Sequence, residues 1–294
     1  MLTFVTDPGA VAQSRATLEA ALNAAAARDL SDVEREARER PDASIAELFG
    51  DWALMDYAAL YLADLAPYPS LEQRLPRMPP PEVQRGWTGS SGASLMMQSV
   101  AFVERLRSAY ETLTGRHLQS ATALDYGAGW GRLTRLMLPY VPDGRLFACD
   151  AWERARRLFD GLGFPFRSDA VDEIPTSLPY RDGQFDLVWL FSVLTHLPAD
   201  RADAVMRSLP RIVSPEGLVV ITVRPPQRWR SEPVLAAAHD RDGFAHQPAG
   251  EGWGETSMSL DYIARRWPQW QVLGSERNLL DPLQNVVRLR RAPS

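Results

Sequence analysis

The chain of 294 residues contains no lysine, and all 32 of its basic residues are arginine. P-loop ATPases, protein kinases and enzymes that hold pyridoxal phosphate as a Schiff base all need a lysine, so these classes are excluded. There is one cysteine, which excludes an internal disulfide framework and any zinc or iron–sulfur site built from several cysteines.

Long apolar runs and concentrated positive charge are also missing. No segment approaches 18 consecutive apolar residues, so we expect no membrane-spanning helix. The net charge is −5 and the arginines are scattered, so we expect no nucleic-acid partner. Residues 1–9 lack the basic start and apolar stretch of a secretory signal, and we therefore expect a cytoplasmic protein.

The first part of the chain has helical patterns. Apolar residues recur at three- and four-residue spacing over residues 45–55, and Ser44 with Glu47 predicts a capping box. Six prolines over residues 67–81 are too many for a helix and predict an extended linker or a segment that forms a wall of the site. Residues 1–80 are thus predicted to be an N-terminal helical extension with a Pro-rich linker. Its apolar stripe fits either a homodimer interface or packing on the rest of the chain, and the sequence leaves both open.

The remainder of the chain alternates short apolar runs with helical stretches. An amphipathic helix is predicted over residues 95–113, with Gly115 as its stop. Apolar runs follow at residues 121–126, 146–150, 185–191 and 218–223, and two more, at 270–274 and 285–290, fit a final antiparallel pair. Strands separated by helices are typical of an α/β fold with a mostly parallel sheet covered on both faces, a doubly wound arrangement.

The most informative stretch is LDYGAGWGRLTRL, residues 124–136, where a strand should end and a helix begin. Its three alternate glycines permit a tight turn and let the backbone approach a ligand, and a helix start offers free N–H groups. A dinucleotide fingerprint needs its third glycine where this chain has Arg132 or Thr134. A nicotinamide or flavin cofactor is therefore disfavoured.

Acids accompany the glycines. Asp125 precedes them by two residues, Asp150 ends the next apolar run, and Asp169 follows a further short segment. A carboxylate at the end of the second strand can accept hydrogen bonds from ribose hydroxyls. This order resembles the class I S-adenosylmethionine-dependent methyltransferases, and the resemblance extends over residues 85–291.

The resemblance implies a Rossmann-like sheet of seven strands, S-adenosylmethionine as cofactor, and residues 81–294 as the domain that binds it. Asp172 competes with Asp169 for the adenine, and Trp130 fits a core role as well as a cofactor wall. The implied cofactor-binding residues are Trp87, Asp125, Gly127, Ala128, Gly129, Trp130, Asp150, Ala151, Asp169, Phe191 and Ser192.

The segment after the fourth strand, LFSVLTH, narrows the chemistry. It has neither the (N/D)-P-P-Y motif of the methyltransferases that act on amino groups of DNA bases nor a carboxylate metal ligand. The segment HDRDGFAH, residues 239–246, fits no standard metal spacing and is interpreted as a solvated loop. We therefore predict a site without a metal.

His196 lies in this segment and is the candidate base that takes a proton from the acceptor, because its ordinary pKa is near 6.5. A role in bracing the loop is the alternative. Residues 224–255 are interpreted as a long irregular stretch, either a surface insertion or a substrate wall with Arg224, Trp229 and Trp253. These residue types suit a polar ring.

The expected function is metal-independent O-methylation of a small polar molecule, a sugar or glycan or a natural-product intermediate. Two alternatives stay open at this point. One is a cofactor-binding module without catalytic activity whose helical extension docks a partner, and the other is a nicotinamide-type oxidoreductase.

Overall fold

A computed structural model describes residues 8–278 and 280–293. Seven strands form its central sheet: β1 Ala123–Tyr126, β2 Leu146–Asp150, β3 Asp169–Ala170, β4 Phe185–Leu190, β5 Val213–Val223, β8 Trp270–Glu276 and β9 Asn285–Arg291. Their order is β3-β2-β1-β4-β5-β9-β8, and β1 to β5 are parallel. β9 pairs antiparallel with β5 and β8, which confirms the predicted final pair. The doubly wound, mostly parallel sheet is confirmed as well.

Helices flank this sheet. The first group is α1 Pro8–Ala26, α2 Ser31–Glu39, α3 Ile45–Phe49, α4 Leu54–Ala59, α5 Pro69–Arg74, α6 Pro81–Thr88 and α7 Gly92–Thr114. The second group is α8 Thr134–Met137, α9 Glu153–Gly161, α10 Ala199–Ile212, α11 Pro233–Asp242 and α12 Leu260–Arg266. Within the described ranges, every helix falls short of the length and apolar character needed to cross a membrane. The expectation about a secretory signal rests partly on residues 1–7, which lie outside these ranges.

Strand β4 shows why its run of apolar residues is continuous. Leu187 and Trp189 join the core beneath the first group of helices, whereas Val188 and Leu190 join a second core on the opposite face. Alternate residues of a strand point to opposite faces, so a strand covered on both sides needs apolar residues at every position.

The N-terminal helices share the first of these cores. Leu22, Phe49 and Tyr57 are fully buried in the same cluster as Trp189 of the sheet. The predicted capping box at the start of α3 is present: the Glu47 backbone N–H donates to Ser44 Oγ at 3.1 Å, and the Ser44 N–H donates to Glu47 Oε2 at 2.7 Å. The apolar stripe of the extension therefore packs on the chain's own sheet layer.

The prediction of an extended segment over residues 67–81 was wrong because of where its prolines lie. The Pro-rich segment contains α5, and α6 begins at its last proline. Pro69 and Pro81 occupy the first turns of these helices, where the missing N–H has no intrahelical acceptor to lose. In contrast, α8 after the glycines is only four residues long, because Pro139 and Pro142 follow it and cannot donate to the preceding turn.

The region from residue 224 to 255 is ordered rather than irregular. It contains α11 and most of a separate two-stranded hairpin, β6 Phe244–Gly250 and β7 Trp253–Met258. The solvated loop expected over residues 239–246 is also wrong. His239 is 5% exposed, and its Nδ1 lies 2.7 Å from Ser257 Oγ on β7.

Candidate active site

A cavity of about 850 Å³ lies at the carboxyl ends of the parallel strands. In a doubly wound sheet, ligands bind where the strand order reverses, which here is between β1 and β4. The structure brings most of the predicted residues together on its wall: Trp87, Asp125, Gly127, Ala128, Gly129, Trp130, Asp150, Ala151, Phe191, Ser192, His196, Arg224 and Trp253.

The glycine loop borders this cavity with bare backbone. Gly127, Gly129 and Gly131 have φ values of 74°, 58° and 77°, which L-residues with side chains rarely adopt. A Cβ on Gly127 would overlap the Val193 side chain, and a Cβ on Gly131 would overlap Phe164. The spacing of three glycines therefore follows from both the turn and the close packing beneath it.

Asp150 connects this loop to the second strand. Its Oδ2 accepts a hydrogen bond from the Gly129 N–H at 2.9 Å, and its Oδ1 accepts one from the Trp152 N–H at 2.8 Å. Burial raises the pKa of the Asp150 carboxyl, although these backbone donors oppose the rise. A carboxylate offers about four acceptor positions, more than these two bonds use, so it can still accept from a ligand.

Asp125 is the more deeply buried acid. Burial raises its pKa to about 7, against the hydrogen bond that Thr134 Oγ1 donates to its Oδ2 at 2.6 Å, and the nearby Asp150 charge adds to the rise. The carboxyl of Asp125 thus ties β1 to the start of α8.

Two predicted site residues lie elsewhere. Asp169 accepts a hydrogen bond from the Tyr180 hydroxyl at 2.9 Å and does not line the cavity, whereas Asp172 does. Trp229 is fully buried in the protein interior, where its indole N–H donates to Ser257 Oγ at 2.6 Å. Of the two aspartates, Asp172 is therefore the one that borders the cavity, and Trp229 is a core side chain rather than a substrate contact.

Aromatic rings surround the mouth of the cavity. The ring of Trp152 lies 6.2 Å from that of Trp87 and 6.3 Å from that of Trp253, between centroids. Trp152 and Trp253 are 45% and 40% exposed, which is unusual for such large apolar groups. Trp130 combines the two roles left open by the sequence: it is 2% exposed, packs against Leu95 and still borders the cavity.

Two arginines near the glycine loop have structural partners. Arg132, which breaks the dinucleotide fingerprint, lies over the Phe191 ring at 5.1 Å and donates to Ser99 Oγ at 2.7 Å. Arg135 is fully buried and donates to four main-chain carbonyls, those of Pro76, Arg77, Trp130 and Gly131. Arg135 therefore ties the Pro-rich segment to the glycine loop.

Ser192 leaves β4 in a strained conformation. Its φ is +60°, which places a non-glycine residue in the left-handed region. Its N–H donates to Thr222 Oγ1 at 2.7 Å, and Gln284 Nε2 donates to its hydroxyl at 2.8 Å. These bonds hold the hydroxyl within 3.3 Å of His196 Nε2.

His196 has a defined tautomer. Its Nδ1 lies 2.8 Å from the carbonyl oxygen of Gly254. A carbonyl only accepts, so Nδ1 carries the proton and Nε2 is an unprotonated acceptor that faces the Ser192 hydroxyl at 3.3 Å. Burial lowers the pKa of His196, as does the Arg224 charge, while the Gly254 bond and the Glu255 charge raise it.

Several residues of this site carry no sequence signal. Glu255 forms ion pairs with two arginines: its Oε2 lies 2.8 Å from Arg224 Nε and 3.2 Å from Arg228 Nε. Asp281 and Gln284, from the segment between β8 and β9, also line the cavity. Their spacing along the chain is typical of ordinary polar loop residues, and only the tertiary fold brings them to the site. In the described part of the chain, no group of three or more His, Cys, Asp or Glu residues is arranged to hold a metal ion.

A family model described as a methyltransferase domain matches residues 124–221. No curated protein sequence matches the chain. Among solved structures, the glycopeptide N-methyltransferase MtfA is 16% identical, with a TM-score of 0.49 over 68% of this chain and 90% of that one. The 1,6-didemethyltoxoflavin-N1-methyltransferase of Burkholderia thailandensis is 18% identical, with a TM-score of 0.48 over 72% and 83%. An S-adenosylmethionine-dependent methyltransferase of Mesorhizobium loti is 16% identical, with a TM-score of 0.45 over 63% and 96%.

The strand order, the antiparallel strand β9 and the glycine loop over the cavity define a Rossmann-like methyltransferase fold. Residues 124–221, the stretch that contains the glycine loop, Asp150 and β4, form a methyltransferase domain. This match disfavours the nicotinamide-type oxidoreductase. The other alternative from the sequence, a module without catalytic activity, predicts that no acceptor is methylated.

Proposed function

We propose that this enzyme methylates a hydroxyl group of a small polar acceptor, a sugar or glycan or a natural-product intermediate, without a metal. One observation carries the proposal: His196 lines the same cavity as the glycine loop and Asp150. A hydroxyl becomes a better nucleophile when a base takes its proton, and an imidazole whose Nε2 is unprotonated suits that task.

The residues at the cavity fit the cofactor. Bare backbone at Gly127 and Gly129 would hold its methionine part, the remaining acceptor positions of Asp150 would hold its ribose, and Asp172 would meet its adenine. Bound there, S-adenosylmethionine supplies a sulfonium methyl group that is already activated for transfer.

The chain's own groups then act on the acceptor. His196 Nε2 takes the proton of the acceptor hydroxyl, so the O–H bond breaks and its electron pair stays on oxygen. Ser192 lies beside Nε2 and offers a hydroxyl that orients the acceptor. Each of these polar interactions becomes stronger where the bound ligands displace water from the cavity.

Arg224, Trp253 and Trp87 are the proposed acceptor walls. Arg224 is 8% exposed and borders the cavity, and the two tryptophans present ring faces near its mouth. Flat rings pack on sugar or aromatic rings, and a guanidinium donates to their polar substituents.

A transfer assay tests this function. Purified protein is incubated with methyl-labelled S-adenosylmethionine and a panel of hydroxyl acceptors, each paired with its amino analogue, and products are identified by mass spectrometry. We expect O-methyl products, and a fall of about 10²- to 10⁴-fold in kcat for His196→Gln. His117→Gln is the control, because the His117 side chain is 91% exposed and does not line the cavity. Products from amino acceptors alone, or equal activity in the two variants, would contradict the proposal.

A further inference from the structure

The hairpin β6–β7 is bonded to the loop that carries His196. The Gly254 N–H donates to the His196 carbonyl at 2.8 Å, and the Thr256 N–H donates to the Thr195 carbonyl at 2.8 Å. Thr256 Oγ1 adds a bond of 2.8 Å to the Leu197 carbonyl. The hairpin therefore fixes the backbone of residues 195–197 over three consecutive carbonyls.

The same hairpin also contacts the imidazole. Besides the Gly254 carbonyl, Glu255 Oε1 lies 3.5 Å from His196 Nδ1. Both oxygens are on the Nδ1 side of the ring, so Nε2 stays unprotonated and accepts from the Ser192 hydroxyl at 3.3 Å, beside the cavity. A carboxylate on this side also stabilises the imidazolium that forms when Nε2 gains a proton.

The charges around His196 come from separate elements. Arg224, at the end of β5, acts on the imidazole as a cation, and Glu255, on β7, acts as an anion. Arg228 reaches the same carboxylate from the turn before α11, and Asp281, before β9, attracts Arg224. Glu255 is thus the group that neutralises Arg224 next to the histidine.

We propose that Glu255 is a positioning residue for the transfer: it holds His196 protonated at Nδ1, stabilises its imidazolium, and keeps Arg224 at the cavity wall. This inference rests on the proposed function, in which His196 is the base. In the reaction the acceptor proton moves to Nε2, the proton on Nδ1 stays there, and the positive charge gained by the ring faces Glu255. Water takes the Nε2 proton after the product leaves.

An NMR titration tests the Glu255 contact without donor or acceptor. The chain has four histidines, and the His196 signals are identified by their loss in His196→Gln. In Glu255→Gln the pKa of His196 should fall by about one pH unit, because the anion is removed and the Arg224 charge is left unbalanced. The kcat profile should shift its acid limb to lower pH by the same amount, with a plateau about tenfold lower.

Matched variants complete the test. Glu276→Gln removes a carboxylate that pairs with Arg105 and does not line the cavity, and it should leave the titration unchanged. The double variant Arg224→Gln/Glu255→Gln removes both opposing charges, so its His196 pKa should return toward the wild-type value. If Glu255→Gln alone does not fold because Arg224 is left unpaired, Arg224→Gln alone should raise the pKa of His196 above that of the double variant.

Equal titration of His196 in wild type and Glu255→Gln would overturn the inference, as would a double variant that titrates like the single one. The proposed function fails separately, through activity in His196→Gln.

Discussion

At the scale of single residues, the carboxylate of Asp150 is the group on the cavity wall that we expect to bind the ribose of the cofactor. Asp150 uses one oxygen on Gly129 and the other on Trp152, and both of these bonds come from backbone N–H groups. The orientation of the Asp150 carboxylate is therefore set by the main chain. Because Asp150 lines the cavity, its remaining acceptor positions are available to a ligand there. Asp169, only one strand away, is occupied by Tyr180.

Asp150→Asn should weaken binding of S-adenosylhomocysteine by about 10- to 100-fold, because hydrogen bonds to a charged group are replaced by weaker ones to a neutral amide. Isothermal titration calorimetry measures this directly. Asp169→Asn is the matched control and should bind within a factor of about two of wild type. A larger loss in the Asp169 variant than in the Asp150 variant would refute the assignment.

The raised pKa of Asp125 should make the free energy of unfolding depend on pH. Its folded value of about 7 is above the unfolded value near 3.8, so the folded state binds a proton more tightly. The stability that this proton contributes is fully present below pH 3.8 and is lost as the pH rises through 7. In Asp125→Asn the free energy of unfolding should change less between pH 4 and pH 8, by on the order of 2–4 kcal/mol. Urea unfolding at both pH values measures it, and an unchanged slope would contradict the burial argument.

Residue roles were predictable only where a local pattern carries them. The order of Asp125, the glycines and Asp150 along the chain is such a pattern, and Asp125, Gly127, Gly129 and Asp150 line the cavity. Trp229 was misassigned because burial depends on α11 and β7 packing around it, and Glu255 was missed because its partners lie 27 to 59 residues away. No spacing rule connects residues so far apart.

At the scale of elements, the glycine loop is shaped by what packs under it. Gly131 and Gly144 have nearly equal φ values, 77° and 75°, but different surroundings. A Cβ on Gly131 would overlap the stacked rings of Phe159 and Phe164, whereas one on Gly144 would meet nothing within 4 Å. The pair therefore separates backbone strain from packing.

Gly144→Ala should cost about 1–2 kcal/mol in unfolding free energy, from the strained φ alone. Gly131→Ala should cost about 2–3 kcal/mol more, because the two rings must move, and it should also weaken binding of S-adenosylhomocysteine. Urea denaturation and calorimetry on both variants measure the difference. Equal losses of stability would show that packing beneath the loop does not matter.

The helices and strands that were predicted correctly are those marked by a local sequence signal, and the missed ones depend on distant contacts. The Ser44–Glu47 capping box and the left-handed Gly115 at the end of α7 are local signals, and both are confirmed. The hairpin β6–β7 was missed because its residues, FAHQPAG and WGETSM, lack a clear apolar alternation. Its stability comes instead from bonds to residues 195–197 and from contact with α11.

At the scale of the whole molecule, the N-terminal helices and the sheet share one core. Phe49 is fully buried. Its ring packs edge-on to that of Trp52, with 5.1 Å between centroids, and it lies in the cluster that contains Trp189 of β4. Arg135 adds polar bonds between the Pro-rich segment and the glycine loop. We expect the extension to unfold together with the site.

Phe49→Ala should lower the free energy of unfolding by about 3–5 kcal/mol. Because the extension and the site share one core, this variant should lose S-adenosylhomocysteine binding and its helical signal at the same, lower denaturant concentration. Circular dichroism and calorimetry along one urea series measure the two transitions. Binding that survives after the helical signal of the extension is lost would show that residues 81–294 fold independently.

A crystal structure with S-adenosylhomocysteine bound would test the proposed site directly. We expect the ribose hydroxyls on the Asp150 carboxylate, the amino-acid tail along Gly127–Gly129, and the sulfur turned toward the space beside Ser192 and His196 Nε2. A ligand bound elsewhere, or one whose sulfur is turned away from His196, would contradict it.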